Sequence, residues 1–267
     1  MKIAVSGKGG VGKTLIAGTL ARMFARDGFQ VLAIDNDSAM NLSYTLGIDS
    51  ETKEKIVPIS EMKDLINERT AIGEPGAGAY NINPEVSDIP DKYKVSGPDG
   101  LQLLVLGSIE EPQTGCLCAE NALIRTLLYN LFVKREEVVI VDFEAGLEHL
   151  GRGTAKGVDV MLVVTEPSQK SLDLSKKIID LSKKLGVINV YLIANKVIDE
   201  SQTEIINTRI RDWEVPLFHS IPLDPEIGKA DLNGISPIDF NTDSKGIQSI
   251  RILYLKLKEL KAELFDL

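Results

Sequence analysis

"GKGGVGKT" (7–14) follows a short apolar run, "KIAVS" (2–6), and opens a helical pattern. It satisfies G-x-x-x-x-G-K-[ST] in the strand–loop–helix context that this pattern requires. Glycines let the backbone turn tightly and aim successive N–H groups at phosphate oxygens, while the helix N-terminus adds partial positive charge. Gly9, Gly10, Val11 and Gly12 form that cradle. Lys13 would reach the β- and γ-phosphates, and Thr14 would offer its hydroxyl to Mg²⁺. Read this way, the stretch fixes the first βα unit of a nucleotide-binding α/β fold.

Outward from the loop, apolar runs recur at 31–35, 101–107, 138–142, 160–166, 190–196 and 217–222. Such continuous runs are the pattern of strands buried on both faces of a mostly parallel sheet. Helices lie between several of them. Residues 13–27 carry Ile16, Leu20 and Phe24 on one stripe and end at Gly28. Residues 168–185 start at a Ser168 cap, show Leu174, Ile178, Leu181 and Leu185 along one face, and stop at Gly186. The expectation is a doubly wound, mostly parallel α/β sheet with helices on both faces, in a single domain over 1–267. The least regular stretch, 71–100, is rich in Gly, Pro and Asp and reads as an excursion. The segment 245–264 spaces Ile250, Leu253, Leu257, Leu260 and Leu264 as a helix, with Arg251, Lys256, Lys258 and Lys261 elsewhere. It suits a final helix covering the sheet better than a basic membrane helix.

The chain of 267 residues has 30 Lys+Arg against 39 Asp+Glu, a net charge of −9. That balance argues against nucleic acid or an anionic membrane as partner. No apolar run approaches a membrane span of ~18 residues, and the first residues enter a strand at once, without a leader's regions. A cytoplasmic location is expected.

"VVIVDFEAG" (138–146) is an apolar strand that ends in a carboxylate. Asp142 would hold Mg²⁺ through water, and the N–H of Gly146 would sense the γ-phosphate, although the spacing is Asp-x-x-x-Gly. In "ANKVID" (194–199) Asp199 stands one residue too late for the guanine-reading Asn-Lys-x-Asp, which favours ATP.

Lys8 makes the loop a deviant Walker A, K-G-G-x-G-K-[ST], which resembles that of the nitrogenase iron-protein, MinD and ParA class of P-loop ATPases. The resemblance implies a homodimer in which Lys8 crosses the interface to the partner's nucleotide, as an arginine finger does. It also implies that Asp37, in "IDNDS" (34–38), orients the attacking water, that Asp35 acts through Mg²⁺-bound water, and that Asn195, followed by Lys196, contacts adenine. In "DNDSAMN" (35–41) the proline that often follows the second aspartate is missing.

Both cysteines of the chain sit in "TGCLCAEN" (114–121). Residues i and i+2 of an extended stretch project to one side, so Cys116 and Cys118 could aim two sulfurs at one point. A disulfide between them would close a strained ring. Burial as small apolar residues and redox chemistry remain alternatives, but the polar flanks favour a metal. Two thiolates make half a site, because zinc and square-planar nickel want four ligands and the only histidines, His149 and His219, are distant in sequence. A two-fold axis would double them.

"GCLCAEN", together with "AGLEHLGRGTAK" (145–156), "EMKD" (61–64) and "NINPEV" (81–86), resembles CooC-type proteins, the ATPases that help mature nickel-dependent carbon monoxide dehydrogenase. That resemblance runs from residue 1 to about 196. It implies nickel or zinc held between paired C-x-C loops of two subunits, and delivery of nickel to the dehydrogenase. Two readings compete with it. One is an iron–sulfur carrier or ATP-gated reductase, whose cysteines would come from well-separated segments. The other is a MinD/ParA-like positioning ATPase on membrane or DNA, against which the net charge counts.

Overall fold

The computed structural model describes residues 1–37, 39–72, 79–107, 118–134, 137–143, 155 and 157–265. Among them eight strands form one sheet: β1 (Lys2–Gly7), β2 (Val31–Asn36), β3 (Val95–Ser96), β4 (Gln102–Val105), β5 (Val138–Phe143), β6 (Val160–Thr165), β7 (Val190–Val197) and β8 (Leu217–Pro222). Their spatial order is β3-β4-β2-β5-β1-β6-β7-β8. All pairs are parallel except the antiparallel edge pair β3–β4. The doubly wound α/β sheet expected from the apolar runs is therefore the one observed, with the 101–107 run shortened to β4.

Helices cover both faces. On one face lie α1 (Lys13–Arg26), the short α2 (Leu42–Leu46), and α11 (Lys245–Phe265). On the other lie α4 (Lys63–Thr70), α6 (Cys118–Lys134), α7 (Gln169–Leu185) and α8 (Glu200–Ile210). The helices α3 (Ser50–Lys55), α5 (Ile89–Tyr93), α9 (Pro225–Leu232) and α10 (Pro237–Phe240) are peripheral. Strand alternation divides the core: Ile3, Val5, Ile140, Leu162 and Val164 face α1, whereas Val139, Val141, Met161 and Val163 face the opposite layer. Each fully buried aliphatic side chain is worth about 1.5–3 kcal/mol on transfer from water.

Several local features depart from the sequence pattern. On α7 the fully covered stripe is Ser171, Leu172, Ser175, Ile178, Ile179 and Ser182, while Leu174, Leu181 and Leu185 sit at its margin. Small serine side chains let the helix come close to the sheet, so the larger leucines are displaced to the flanks. Its Ser168 cap accepts from the Ser171 N–H, and Gly186 closes it with φ +95°. Helix α6 begins at Cys118, so the extended geometry assumed for Cys116 and Cys118 stops there. Cys116 and the side chain of Cys118 lie outside the described residues.

The C-terminal helix α11 covers the sheet, burying Ile250, Leu253 and Leu257 against the α1 face. At the far end of α1, Arg22 is 3% exposed and ties four segments together. Its Nε reaches Asp99, its Nη1 donates to the Leu46 carbonyl and to Asp239 at 2.7 Å each, and its Nη2 donates to Asp239 at 3.0 Å. No helix among the described residues is long and apolar enough to cross a membrane.

Candidate active site

Parallel strands bring their C-terminal ends to one edge, and ligands of open α/β sheets bind there. Residues 8–12 leave β1 at this edge and lead into α1. Val11 is fully buried and anchors the loop from beneath. Gly12 has φ +95°, and a Cβ there would stand 2.2 Å from Nδ2 of Asn195, so any side chain would collide. Gly9 and Gly10, by contrast, face open space, as a phosphate cradle requires.

Asn195 and Lys196, at the end of β7, brace the loop from the side. Asn195 Nδ2 donates to the Val11 carbonyl at 2.7 Å, and Lys196 Nζ donates to the Gly10 carbonyl at 2.6 Å. Lys196 adopts φ +59°, a left-handed conformation uncommon for a residue with a side chain. Lys13 is 6% exposed, and its Nζ donates to the Lys8 carbonyl at 3.3 Å. Asp199 caps α8 by accepting from the Gln202 N–H, and the Ser201 hydroxyl holds its carboxyl below the usual range. That capping role takes Asp199 away from base reading.

Asp35 on β2 and Asp142 on β5 are register partners, and both are fully buried. Asp35 accepts from the N–H groups of Asp37 at 3.1 Å and Leu42 at 3.0 Å. Burial, and then the neighbouring Asp142 charge, push its carboxyl up to about 8. Burial also pushes Asp142 up to about 7, against the pull of the Thr14 hydroxyl and the Lys13 ammonium. Yet neither oxygen of Asp142 has a partner of hydrogen-bond geometry. A buried carboxylate left unpaired is costly, and a hard divalent cation is the partner that satisfies it. The donor set of Asp142, Thr14 and Asp35 fits Mg²⁺.

Asp37 follows β2, binds the Ala39 N–H at 2.9 Å, and lines the same polar cavity as Gly9, Lys13 and Thr14. Lys8 lies beside the loop, its ammonium 3.5 Å from Glu166 of its own chain. Gly146, Glu144 and His149 lie outside the described residues. His219 stands apart from this edge, its Nε2 bonded to Ser249 on α11, and burial lowers its pKa.

A second cavity, about 460 Å³, adjoins the polar one and is lined mostly by apolar groups, including Leu15, Tyr44, Pro222, Leu223, Ile227 and Ile235 beside Asn195. It suits a nucleotide base as the polar cavity suits phosphates. Its wall after β8 was not singled out from sequence, although "IPLDPE" (221–226) is a turn-rich stretch at the C-terminal end of a strand.

Residues 2–238 match the model of the CobQ/CobB/MinD/ParA nucleotide binding domain. The carbon monoxide dehydrogenase accessory protein CooC of Rhodospirillum rubrum is 41% identical over 241 residues, 90% of each chain. The chain is a CooC-type ATPase of the MinD/ParA class. An uncharacterized ATP-binding protein of Methanocaldococcus jannaschii is 42% identical over 98% of this chain and 99% of its own. Among solved structures, MinD of Aquifex aeolicus superposes with a TM-score of 0.68 at 21% identity, covering 97% of this chain and 96% of that one. MinD of Pyrococcus horikoshii, solved with Mg-ADP, gives 0.67 at 22%, covering 97% and 96%. At such identities the structures establish the fold alone. For this CooC-type chain, ATP hydrolysis is the chemistry of the site.

Proposed function

We propose that the chain is a single-domain, homodimeric, cytoplasmic metallochaperone that uses ATP hydrolysis to deliver nickel to a nickel-dependent carbon monoxide dehydrogenase. Neither nucleic acid nor membrane is its partner. In this reading Lys13 binds the β- and γ-phosphates, with the N–H groups from Gly9 to Thr14 and that of Gly146 around them. Asn195 and Lys196 hold the loop against the base. Thr14 would offer its hydroxyl to Mg²⁺, with Asp142 and Asp35 acting through water, and the ion would neutralise charge on the phosphates. Asp37 orients the attacking water, and Lys8 stabilises the developing charge on the partner's nucleotide.

The cargo is a nickel or zinc ion. Cys116 and Cys118 from each of two chains supply its four thiolates across the two-fold axis. The observation that carries the reading is connectivity: α6 starts at Cys118, and the next element in the chain is β5, whose penultimate residue is Asp142. One helix and one strand thus separate the thiols from the nucleotide's metal. A subunit arrangement set by ATP alters the thiol site, and by linkage the ion alters ATP affinity equally.

The test is anaerobic titration of nickel or zinc with a competing chelator, with and without ATP. The expected result is one ion per two chains, lost in Cys116→Ser and in Cys118→Ser and shifted by ATP. One ion per chain, indifferent to both substitutions, would overturn the reading.

A further inference from the structure

Lys8 does not point freely into solvent. Its ammonium lies 3.5 Å from Glu166 Oε1, with the two side chains 39% and 27% exposed. The sheet brings the two residues side by side. β1 and β6 are neighbours with Gly7 opposite Val164, so Lys8 and Glu166 leave adjacent strand ends together.

The acid is held firmly. Its N–H donates to Ser171 Oγ at 3.1 Å, and its carbonyl accepts from the Ser168 N–H at 2.7 Å and the Thr165 hydroxyl at 3.2 Å. The Ser171 hydroxyl in turn donates to Thr165 Oγ1 at 2.9 Å, inside the protein. The Ser168 hydroxyl donates to the same Oε1 that faces Lys8, at 3.2 Å. The acid is therefore preorganised, and the long lysine side chain is the mobile member of the pair.

We propose that Glu166 is an intramolecular counter-ion that holds Lys8 in the resting chain and competes with a second chain's nucleotide phosphate for it. This rests on the trans role of Lys8 proposed above. A half-exposed ion pair shifts an equilibrium by a factor of up to about five, so it biases Lys8 without trapping it. A triphosphate carries more charge than one carboxylate and displaces it. Only chains whose Lys8 is released are competent to associate, and because both chains of a pair must release it, apparent affinity falls by the square of that fraction. Glu166 acts here as a positioning residue and touches no nucleotide.

The experiment measures self-association by analytical ultracentrifugation with a non-hydrolysable ATP analogue, for wild type, Glu166→Gln, Lys8→Ala and the double variant. Glutamine keeps an acceptor for Ser168, so thermal stability and the monomer's nucleotide affinity should not move. Glu166→Gln should gain about three- to fivefold per chain, so its pairs should associate about ten- to 25-fold more tightly than wild type at low salt. The gain should vanish at ~0.5 M salt, where the pair is screened, and in the Lys8→Ala background. Equal association of wild type and Glu166→Gln, or a gain that survives without Lys8, would overturn the counter-ion while leaving the trans role intact. Wild-type turnover in Lys8→Ala would overturn the trans role, and the counter-ion with it.

Discussion

Asp35 and Asp142 stand opposite one another on adjacent strands, both buried, and the Asp142 charge disfavours that of Asp35. Their folded pKa values, about 8 and about 7, exceed the unfolded value near 3.8. The folded chain therefore binds more protons than the unfolded one in between, and stability falls as pH rises through that window. Magnesium nucleotide should stabilise wild type more at about pH 8 than at about pH 6. Asp142→Asn should melt higher than wild type without nucleotide at about pH 8, by about 1–3 kcal/mol, and should lose hydrolysis. Calorimetry across pH checks both; a variant less stable than wild type at every pH would show that Asp142 has a partner.

In the proposed mechanism the two loop lysines have separate tasks. Lys13→Ala should lose nucleotide binding. Lys8→Ala should bind ATP normally but lose turnover by about 10³-fold, the range of an arginine finger. Asp37→Asn should bind ATP and accumulate the closed ATP-bound dimer. Equilibrium binding and steady-state hydrolysis separate these outcomes, and normal hydrolysis in Asp37→Asn would move the water-orienting role elsewhere.

Gly12→Ala meets two obstacles, a φ of +95° and the Asn195 amide. It should weaken ATP binding and cost about 1–3 kcal/mol of stability. Adding Asn195→Ala should relieve the collision but not the strained φ, giving partial recovery on thermal melts. Full recovery would mean the backbone tolerates that conformation without cost.

Arg22→Met removes a buried cation while Asp99 and Asp239, both partly exposed, regain water. The expected loss is about 2–3 kcal/mol, below the 3–5 of a fully buried pair, with turnover near wild type at temperatures where the variant is folded. Chemical denaturation against kcat checks the separation, and a loss of kcat without loss of stability would place the network in the site.

The glycine loop, the apolar strands and the carboxylate near the end of β5 were legible in the sequence because each rests on a local rule: chain flexibility, two-sided burial, one charge close to a strand end. Features that depend on what comes close in space were not. Nothing in "SLDLSKK" (171–177) says that its serines would face the sheet. Glu166 lies far from Lys8 in sequence and meets it only because β6 pairs with β1. Tyr44 and the turn after β8 line the apolar cavity by converging from remote segments. The edge strand β3 has only two residues, too few to show any alternation.

That short strand has a consequence for assembly. An open sheet ends in unpaired N–H and C=O groups that can recruit another chain. Here one end is Val95–Ser96, flanked by Lys94 and Pro98, which leaves a foreign strand almost no ladder to extend. The other end, β8, runs between Pro216 and Pro222 and lies against α11. Among the described residues both margins are thus blunted, which keeps concentrated chains from growing into ribbons. The pairing proposed above would instead be made at the C-terminal ends of the strands, where the glycine loop lies.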